Sequence, residues 1–139
     1  MRINEPVSNH EVNYSERDLL VSKTDTKGKI TYCNAAFLRI AGFEESEMLG
    51  KPHNIVRHPD MPAAAFQDLW DTVRAGREWN GFVKNRCKNG DHYWVDATVT
   101  PSFDNQHNII GYMSVRRLPS RQQVQESEAL YAQMRKAGQ

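Results

Sequence analysis

Apolar residues alternate with polar ones near both ends of the chain and recur at helical spacing between them. Two short β-prone runs at 19–21 and 29–32 flank Thr24-Asp25-Thr26-Lys27-Gly28, where Asp and Gly favour a turn, so the pattern predicts a hairpin. Asn34 stands where it can cap a short helix with Ala36, Phe37, Ile40 and Ala41 at helical spacing, and Gly42 stands where such a helix ends. Another helical turn is expected over 44–49, closed by Gly50. Residues 51–62 keep no clean period and are broken by prolines, which predicts a loop with a turn or two of helix. Charge and histidine gather there.

The next helix is better marked. Asp60 can cap it, Pro62 suits its first turn, and Phe66, Leu69, Trp70 and Val73 form one apolar stripe that ends before Gly76. After Gly76 the period changes to alternation. Trp79, Gly81, Val83, Asn85 and Cys87 share one strand face, with Phe82, Lys84 and Arg86 on the other. Asn89-Gly90 signals a two-residue hairpin in which both positions take positive φ. The returning strand, 92 to about 100, groups Tyr93, Val95, Ala97 and Val99 opposite His92, Trp94, Asp96 and Thr98. A turn near Asp104-Asn105 leads to a last strand over 109–118, with Ile110 and Tyr112 on one face and Met113 and Val115 on the other. Trp94 and this strand leave an apolar outer face, expected to meet either the N-terminal segment or a following domain. Residues 120–136 read as a polar helix with Val124, Tyr131 and Met134 at coiled-coil-like spacing, either a solvated end or a signalling linker.

Two strands, several short helices and three more strands predict an α+β fold: an antiparallel sheet with helices on one face. The 139 residues suffice for one domain with tails. An N-terminal cap or tail over 1–17, a core over 18–118 and a C-terminal helix over 119–139 are expected. Eighteen Lys and Arg against seventeen Asp and Glu leave a net charge of +1, so no overall field draws the chain to nucleic acid or an anionic membrane. Neither an export signal nor an apolar run of about 20 residues is visible, so a cytoplasmic domain is expected. Cys33 and Cys87 stand far apart in no metal or redox spacing and read as small buried thiols.

The string Gly50-Lys51-Pro52-His53-Asn54-Ile55-Val56-Arg57-His58-Pro59-Asp60-Met61-Pro62 resembles the PAS domain of bacterial aerotaxis receptors. So do 79–83, Val83-Lys84-Asn85-Arg86, Lys88-Asn89-Gly90-Asp91-His92-Tyr93-Trp94-Val95 and Gly111-Tyr112-Met113-Ser114-Val115-Arg116, and the likeness covers about residues 18–118. The Arg-His-Pro-Asp-Met-Pro part is the specific element; the Lys-Asn-Gly hairpin is common among PAS domains. The resemblance implies a five-stranded PAS sheet with FAD held non-covalently between sheet and helices. It also implies a sensor of redox state or oxygen rather than an enzyme. Such receptors are homodimers in which a membrane anchor, a relay domain and a signalling coiled coil follow, with output to a chemotaxis kinase.

A flavin needs an apolar slot, amide-type hydrogen bonds at the polar edge of its ring and positive charge near its pyrophosphate. Asn85 both donates and accepts and is the first candidate ligand, on the strand face and by the resemblance. Trp79, Trp70 and Phe66 are candidates for the ring wall, each with plain core as the alternative. Arg57 offers a fork of donors to a phosphate. His58 joins it as a candidate, with a solvated loop residue as the alternative, and Asp60 is either a ligand or only a helix cap. Asn34 is either structural or a cofactor contact. Tyr93 and Tyr112 complete the cofactor-binding set that the resemblance implies. His53 stands where light-sensing flavin PAS domains carry their reactive cysteine; with no thiol there, electron uptake rather than a photochemical adduct is the expected signal.

Three other classes compete with this reading. A haem PAS sensor needs an axial ligand from His53, His58 or His92, none on a clear helix face. An enzyme using His53, His58 and Asp60 lacks a nucleophile elbow, a phosphate loop or paired helical histidines. A cofactor-free PAS interaction module stays open.

Overall fold

Alternation becomes a five-stranded antiparallel sheet in the computed structural model, which describes residues 7–138. The elements are β1 (Leu20–Thr24), β2 (Ile30–Cys33), α1 (Ala35–Ala41), α2 (Glu45–Met48), a 3-10 turn (His53–Val56), α3 (Ala63–Arg74), β3 (Trp79–Arg86), β4 (His92–Phe103), β5 (Ile109–Arg117) and α4 (Arg121–Lys136). The strands run in the order β2-β1-β5-β4-β3. A hairpin (β1–β2) and a three-stranded meander (β3–β4–β5) are therefore joined through β1 and β5, with Val21 opposite Val115 and Ser22 opposite Ser114. That long-range pairing puts Ser22 and Thr24 on one inner face with Tyr112, Ser114 and Arg116.

Local chemistry sets the turns. The Asp25 carboxylate accepts from the Lys27 and Lys29 amides, both at 2.9 Å, and Gly28 closes the turn at φ 83°. Asn34 caps α1 as expected, accepting from the Phe37 amide at 3.1 Å, and Gly42 ends that helix in the left-handed conformation. The hairpin between β3 and β4 differs from its expectation. Cys87 bonds Asp91 across a three-residue loop, and Gly90 takes positive φ while Asn89 does not. Asn89 instead turns its side chain to Asp91, accepting from its amide at 2.9 Å.

α3 corrects another expectation. Its N-cap is Pro62, with no side-chain cap, and Asp60 does not cap it. The Asp60 carboxylate is turned to Lys84 Nζ on β3, 2.8 Å away. An ion pair with a half-buried lysine outcompetes a cap from two residues ahead of the N-cap position, Pro62.

The inner face, α1, α2 and α3 enclose the core, in which Phe37, Leu20, Ile30, Met48, Val56, Val73, Tyr93 and Val95 are fully buried. The outer face is covered from within the chain. The N-terminal segment runs beside the start of β4 (Val12 N to His92 O, 2.7 Å), and the Tyr14 hydroxyl donates to the Trp94 carbonyl. α4 folds back over the same face, its Tyr131 hydroxyl donating to the Phe82 carbonyl of β3. Its Ser120–Gln123 capping box starts it, Val124 is buried at 1% exposure, and the Tyr131 ring stacks on Trp94 at 8°. Each apolar side chain so buried contributes about 1.5–3 kcal/mol. Residues 1–6 of the expected N-terminal cap, and Gln139, lie outside the described residues.

Candidate cofactor site

Between the inner sheet face and the helices lies a cavity of about 330 Å3. β1 contributes Ser22 and Thr24, β5 contributes Tyr112, Ser114 and Arg116, and β3 and β4 contribute Val83, Asn85, Ala97 and Val99. The helical side adds the 3-10 turn with Arg57 after it and the α3 residues Phe66, Leu69, Trp70 and Arg74. The stripe expected to pack on the sheet thus borders an open space. Trp70 meets Tyr112 edge to face at 5.5 Å. Gly28 lets the β1–β2 turn approach, since a Cβ there would stand 3.3 Å from Trp70.

Charge in this cavity has one sign. Lys27, Arg57, Arg74 and Arg116 line it, and among the described residues no aspartate or glutamate does. Two of these cations rest on aromatic faces: Arg57 lies 4.2 Å from the Phe66 ring centre and Arg74 5.0 Å from that of Trp70. Arg116 is the deepest, at 4% exposure. Its Nη2 donates to His53 Nε2 at 2.6 Å and to Ser22 Oγ at 3.0 Å. Burial, and then the Arg116 charge, push the His53 pKa down to about 3. His53 is therefore a neutral imidazole that accepts through Nε2. Burial lowers the Arg116 pKa to about 10, so the guanidinium stays charged at neutral pH.

Of the residues expected to bind a cofactor, His53, Arg57, Phe66, Trp70, Asn85 and Tyr112 come together around this cavity. Asn34, His58, Asp60, Trp79 and Tyr93 do not line it. Asn34 is fully engaged in structure: its Oδ1 accepts from the Val21 and Phe37 amides, and its Nδ2 donates to the Leu19 carbonyl at 2.8 Å. Trp79 folds over Gly81, where a Cβ would clash at 2.4 Å, and donates Nε1 to Asp68 on α3 at 2.8 Å. Tyr93 points inward but is sealed in the core at 0% exposure. Its hydroxyl has no hydrogen-bond partner among the described residues, and burial pushes its pKa far up.

His58 and Asp60 lie on the other side of the edge strand β3. Arg57 forms a backbone bridge to Asn85, and the chain then crosses that edge, leaving Arg57 on the cavity and His58 beside His92, with 6.0 Å between ring centres. His58 Nδ1 accepts from the Asp60 amide at 3.0 Å. Burial, helped by the Lys84 charge, holds the His58 pKa down to about 4. Burial would raise the Asp60 carboxyl, but Lys84 prevails and it is lowered. A second hollow of about 440 Å3 lies here, with Glu11, Lys84, Trp94, Glu128 and Arg135 around it; its charges are mixed.

Arg116, Ser22, Thr24 and Ser114 were not singled out from the sequence. The signal was present for three of them: continuing the alternation from Tyr112 places Ser114 and Arg116 inward, and the pairing of β1 with β5 adds Ser22. Two of these polar atoms fit a polar guest. Ser114 Oγ and Thr24 Oγ1 are buried without hydrogen-bond partners among the described residues, and both residues border the cavity.

A five-stranded antiparallel sheet clasping a hollow with its short helices is the arrangement of a PAS domain, and residues 30–116 match the model of the family described as PAS fold. The chain belongs to that family. It is 47% identical over 112 residues to the aerotaxis receptor of Escherichia coli K12, covering 81% of this chain and 22% of that protein. It is 28% identical to the nitrogen fixation regulatory protein of Klebsiella pneumoniae, covering 73% of this chain and 21% of that one. It spans about a fifth of the length of each relative. Among solved structures, the LOV domain of the blue-light photoreceptor Aureochrome1 in its dark state superposes with TM-score 0.69 at 19% identity, covering 86% of each chain, a likeness of fold. Among the described residues, no helix is long and apolar enough to cross a membrane.

Proposed function

We propose that this chain is the sensor domain of an aerotaxis receptor, holding FAD non-covalently and reporting redox state or oxygen rather than catalysing a reaction. The lining of the cavity carries the reading: four cations and, among the described residues, no carboxylate, in a chain whose net charge is only +1. Such a site favours a guest that is anionic at one end and flat and apolar at the other. The volume supports a division of that guest. About 330 Å3 is at the small end of ligand pockets, enough for a ring system, while the remainder lies toward the exposed Lys27 and Arg74.

The cofactor would supply a ring that takes up electrons and protons and a pyrophosphate of fixed negative charge. The chain's own residues divide the binding. Trp70, Tyr112, Phe66, Leu69 and Val56 wall the ring and exclude water. Asn85, which both donates and accepts, holds its polar edge, with Thr24 and Ser114 offering hydroxyls that have no partner among the described residues. Arg57, Arg74 and Lys27 hold the phosphates.

A contiguous path leads outward from the same residues. The backbone bridge ties Arg57 to Asn85, Asp60 on the far side of that loop pairs with Lys84, and the Asp60 carbonyl accepts from Arg135 of α4. In the proposed receptor, relay and signalling domains of the same chain receive this output, as a homodimer anchored at the membrane and coupled to a chemotaxis kinase. The haem alternative loses its ligand. His53 Nε2 is spent on Arg116 and Ser22, and neither His58 nor His92 borders the cavity.

The test is to purify the protein, record its absorption, release the chromophore by heat and identify it by chromatography. FAD is the expected product, with two broad bands before release. A Soret band, or folded protein that stays colourless after FAD is added, overturns the reading.

A further inference from the structure

The second hollow, on the opposite side of the sheet, shares no lining residue with the cavity proposed for the flavin. Three parts of the chain wall it: the N-terminal segment with Glu11, the strands β3 and β4 with Lys84, His92 and Trp94, and α4. From α4 come Glu128, Tyr131, Ala132 and Arg135, at the i, i+3, i+4 and i+7 spacing of one helix face. Glu128 and Arg135 therefore stand about 10 Å apart along the helix axis, with Tyr131 stacked on Trp94 between them.

The two ends of this hollow differ in sign. The Glu11 and Glu128 charges both reach His92, and Glu11 Oε1 lies 3.9 Å from His92 Nε2. Arg121 offsets Glu11 at 2.7 Å, but among the described residues Glu128 makes no hydrogen bond or ion pair, so that end keeps one negative charge. At the other end Lys84 pairs with the Asp60 carboxylate at 2.8 Å, and Arg135 bonds only the Asp60 carbonyl, so one positive charge is left. The floor between them is short of acceptors. Trp94 and His92, 2% and 8% exposed, border the hollow, yet Trp94 Nε1 and His92 Nδ1 have no hydrogen-bond partner among the described residues. His58, packed on His92, accepts the Asp60 amide at Nδ1, so its Nε2 carries a hydrogen that is likewise unpartnered. Buried donors without acceptors are costly, and a guest that brings an acceptor oxygen relieves them. A simple anion would leave Glu128 unmatched, and a simple cation would leave the donors so.

We propose that this hollow binds a small zwitterion of the amino-acid type, its carboxylate toward Arg135, Lys84 and the Trp94 N–H, and its ammonium toward Glu128. Trp94 and Tyr131 flank the carbon chain. A space of about 440 Å3 lies within the range of small-molecule sites. The bound guest ties α4 to the N-terminal segment and to β3 and β4, whether or not the cavity on the other side of the sheet is filled.

The experiment is a nuclear magnetic resonance titration of the full chain with glycine, L-alanine and γ-aminobutyrate, and with acetate and methylammonium as probes that carry one end only. The signals followed are the indole N–H groups of the three tryptophans, with that of Trp94 assigned from its loss in Trp94→Phe. At least one zwitterion is expected to shift the Trp94 signal and saturate with a Kd of about 1 mM or tighter. Acetate and methylammonium should bind at least about tenfold more weakly, since each lacks one charge-assisted hydrogen bond. Glu128→Gln should erase the advantage over acetate and keep that over methylammonium; Arg135→Gln should do the reverse. Glu128 is exposed, so its variant should keep the wild-type midpoint in urea, which separates a lost ligand contact from a lost fold. Acetate that binds wild type as tightly as every zwitterion overturns the proposal. So does a Trp94 signal that stays in place up to about 10 mM of each zwitterion, tenfold above a millimolar Kd. Neither readout needs FAD, so failure here leaves the flavin reading standing, and failure to bind FAD leaves this one.

Discussion

Replacing Asn34 with alanine separates a structural residue from a ligand. The side chain makes three hydrogen bonds: it accepts from the Val21 amide at 3.0 Å and the Phe37 amide at 3.1 Å, and donates to the Leu19 carbonyl at 2.8 Å. Loss of the α1 cap costs about 1 kcal/mol. The Val21 amide and Leu19 carbonyl lose partners in a half-exposed setting, which adds about 1–2 kcal/mol. Asn34→Ala should therefore lose about 2–3 kcal/mol in urea unfolding of the apoprotein with an unchanged m-value, and about 6–12 °C in Tm. Asn34→Asp keeps both acceptor bonds but sets a carboxylate against the Leu19 carbonyl, so it should fall between wild type and alanine. FAD affinity of the folded alanine variant should stay within about threefold, because Asn34 does not border the cavity and independent sites do not couple. Unchanged stability together with a tenfold or greater loss of affinity would refute the reasoning and return Asn34 to the cofactor.

Three further outcomes follow from the same structure. His58 has its pKa depressed from 6.5 to about 4, and His53 shifts the same way. The unfolded chain thus binds more protons below pH 6.5, and stability present above that value should be lost as pH falls through 4. His58→Asn, which keeps an acceptor for the Asp60 amide, should flatten part of that loss in urea titrations at successive pH values; an unchanged slope speaks against it. Ala97→Phe places a ring where a cavity wall stands at 2% exposure, so FAD affinity should fall more than about a hundredfold (about 2.7 kcal/mol) while the apoprotein stays folded by circular dichroism; retained affinity would show that the cavity is not the site. Tyr131→Phe removes the donor to the Phe82 carbonyl, worth about 1 kcal/mol. Amide exchange across Arg121–Lys136 should quicken about fivefold, and unaltered exchange would show that this bond does not hold α4.

The sheet was legible because period-2 alternation survives in β3, β4 and β5, and because Asp25 and Gly28 mark the first turn without ambiguity. α1 was legible from Asn34 and Gly42. Asp60 misled because a carboxylate shortly before a helix looks like a cap, and only the folded chain reveals Lys84 across the edge of β3 as its partner. Facing inward is not the same as facing a cavity: Trp79 and Tyr93 share faces with Val83 and Val95, yet one is tied to Asp68 and the other sealed in the core. Arg116 is the opposite case. Alternation from Tyr112 points it inward, but a charge on a strand is ordinarily read as solvent-facing, and its uncompensated state becomes visible only once β1 and the His53 turn are placed around it. The direction of α4 was hidden for a related reason, since Val124 and Tyr131 fit a coiled-coil seam and a seat on Trp94 equally well.

Titration of the apoprotein with FAD, followed by flavin fluorescence, tests the hollow between sheet and helices most directly. With Trp70 and Tyr112 on its walls, bound ring should be quenched, giving a saturable curve at one FAD per chain that is lost in Ala97→Phe. Folded apoprotein that leaves the fluorescence of FAD unchanged at every concentration would contradict the account.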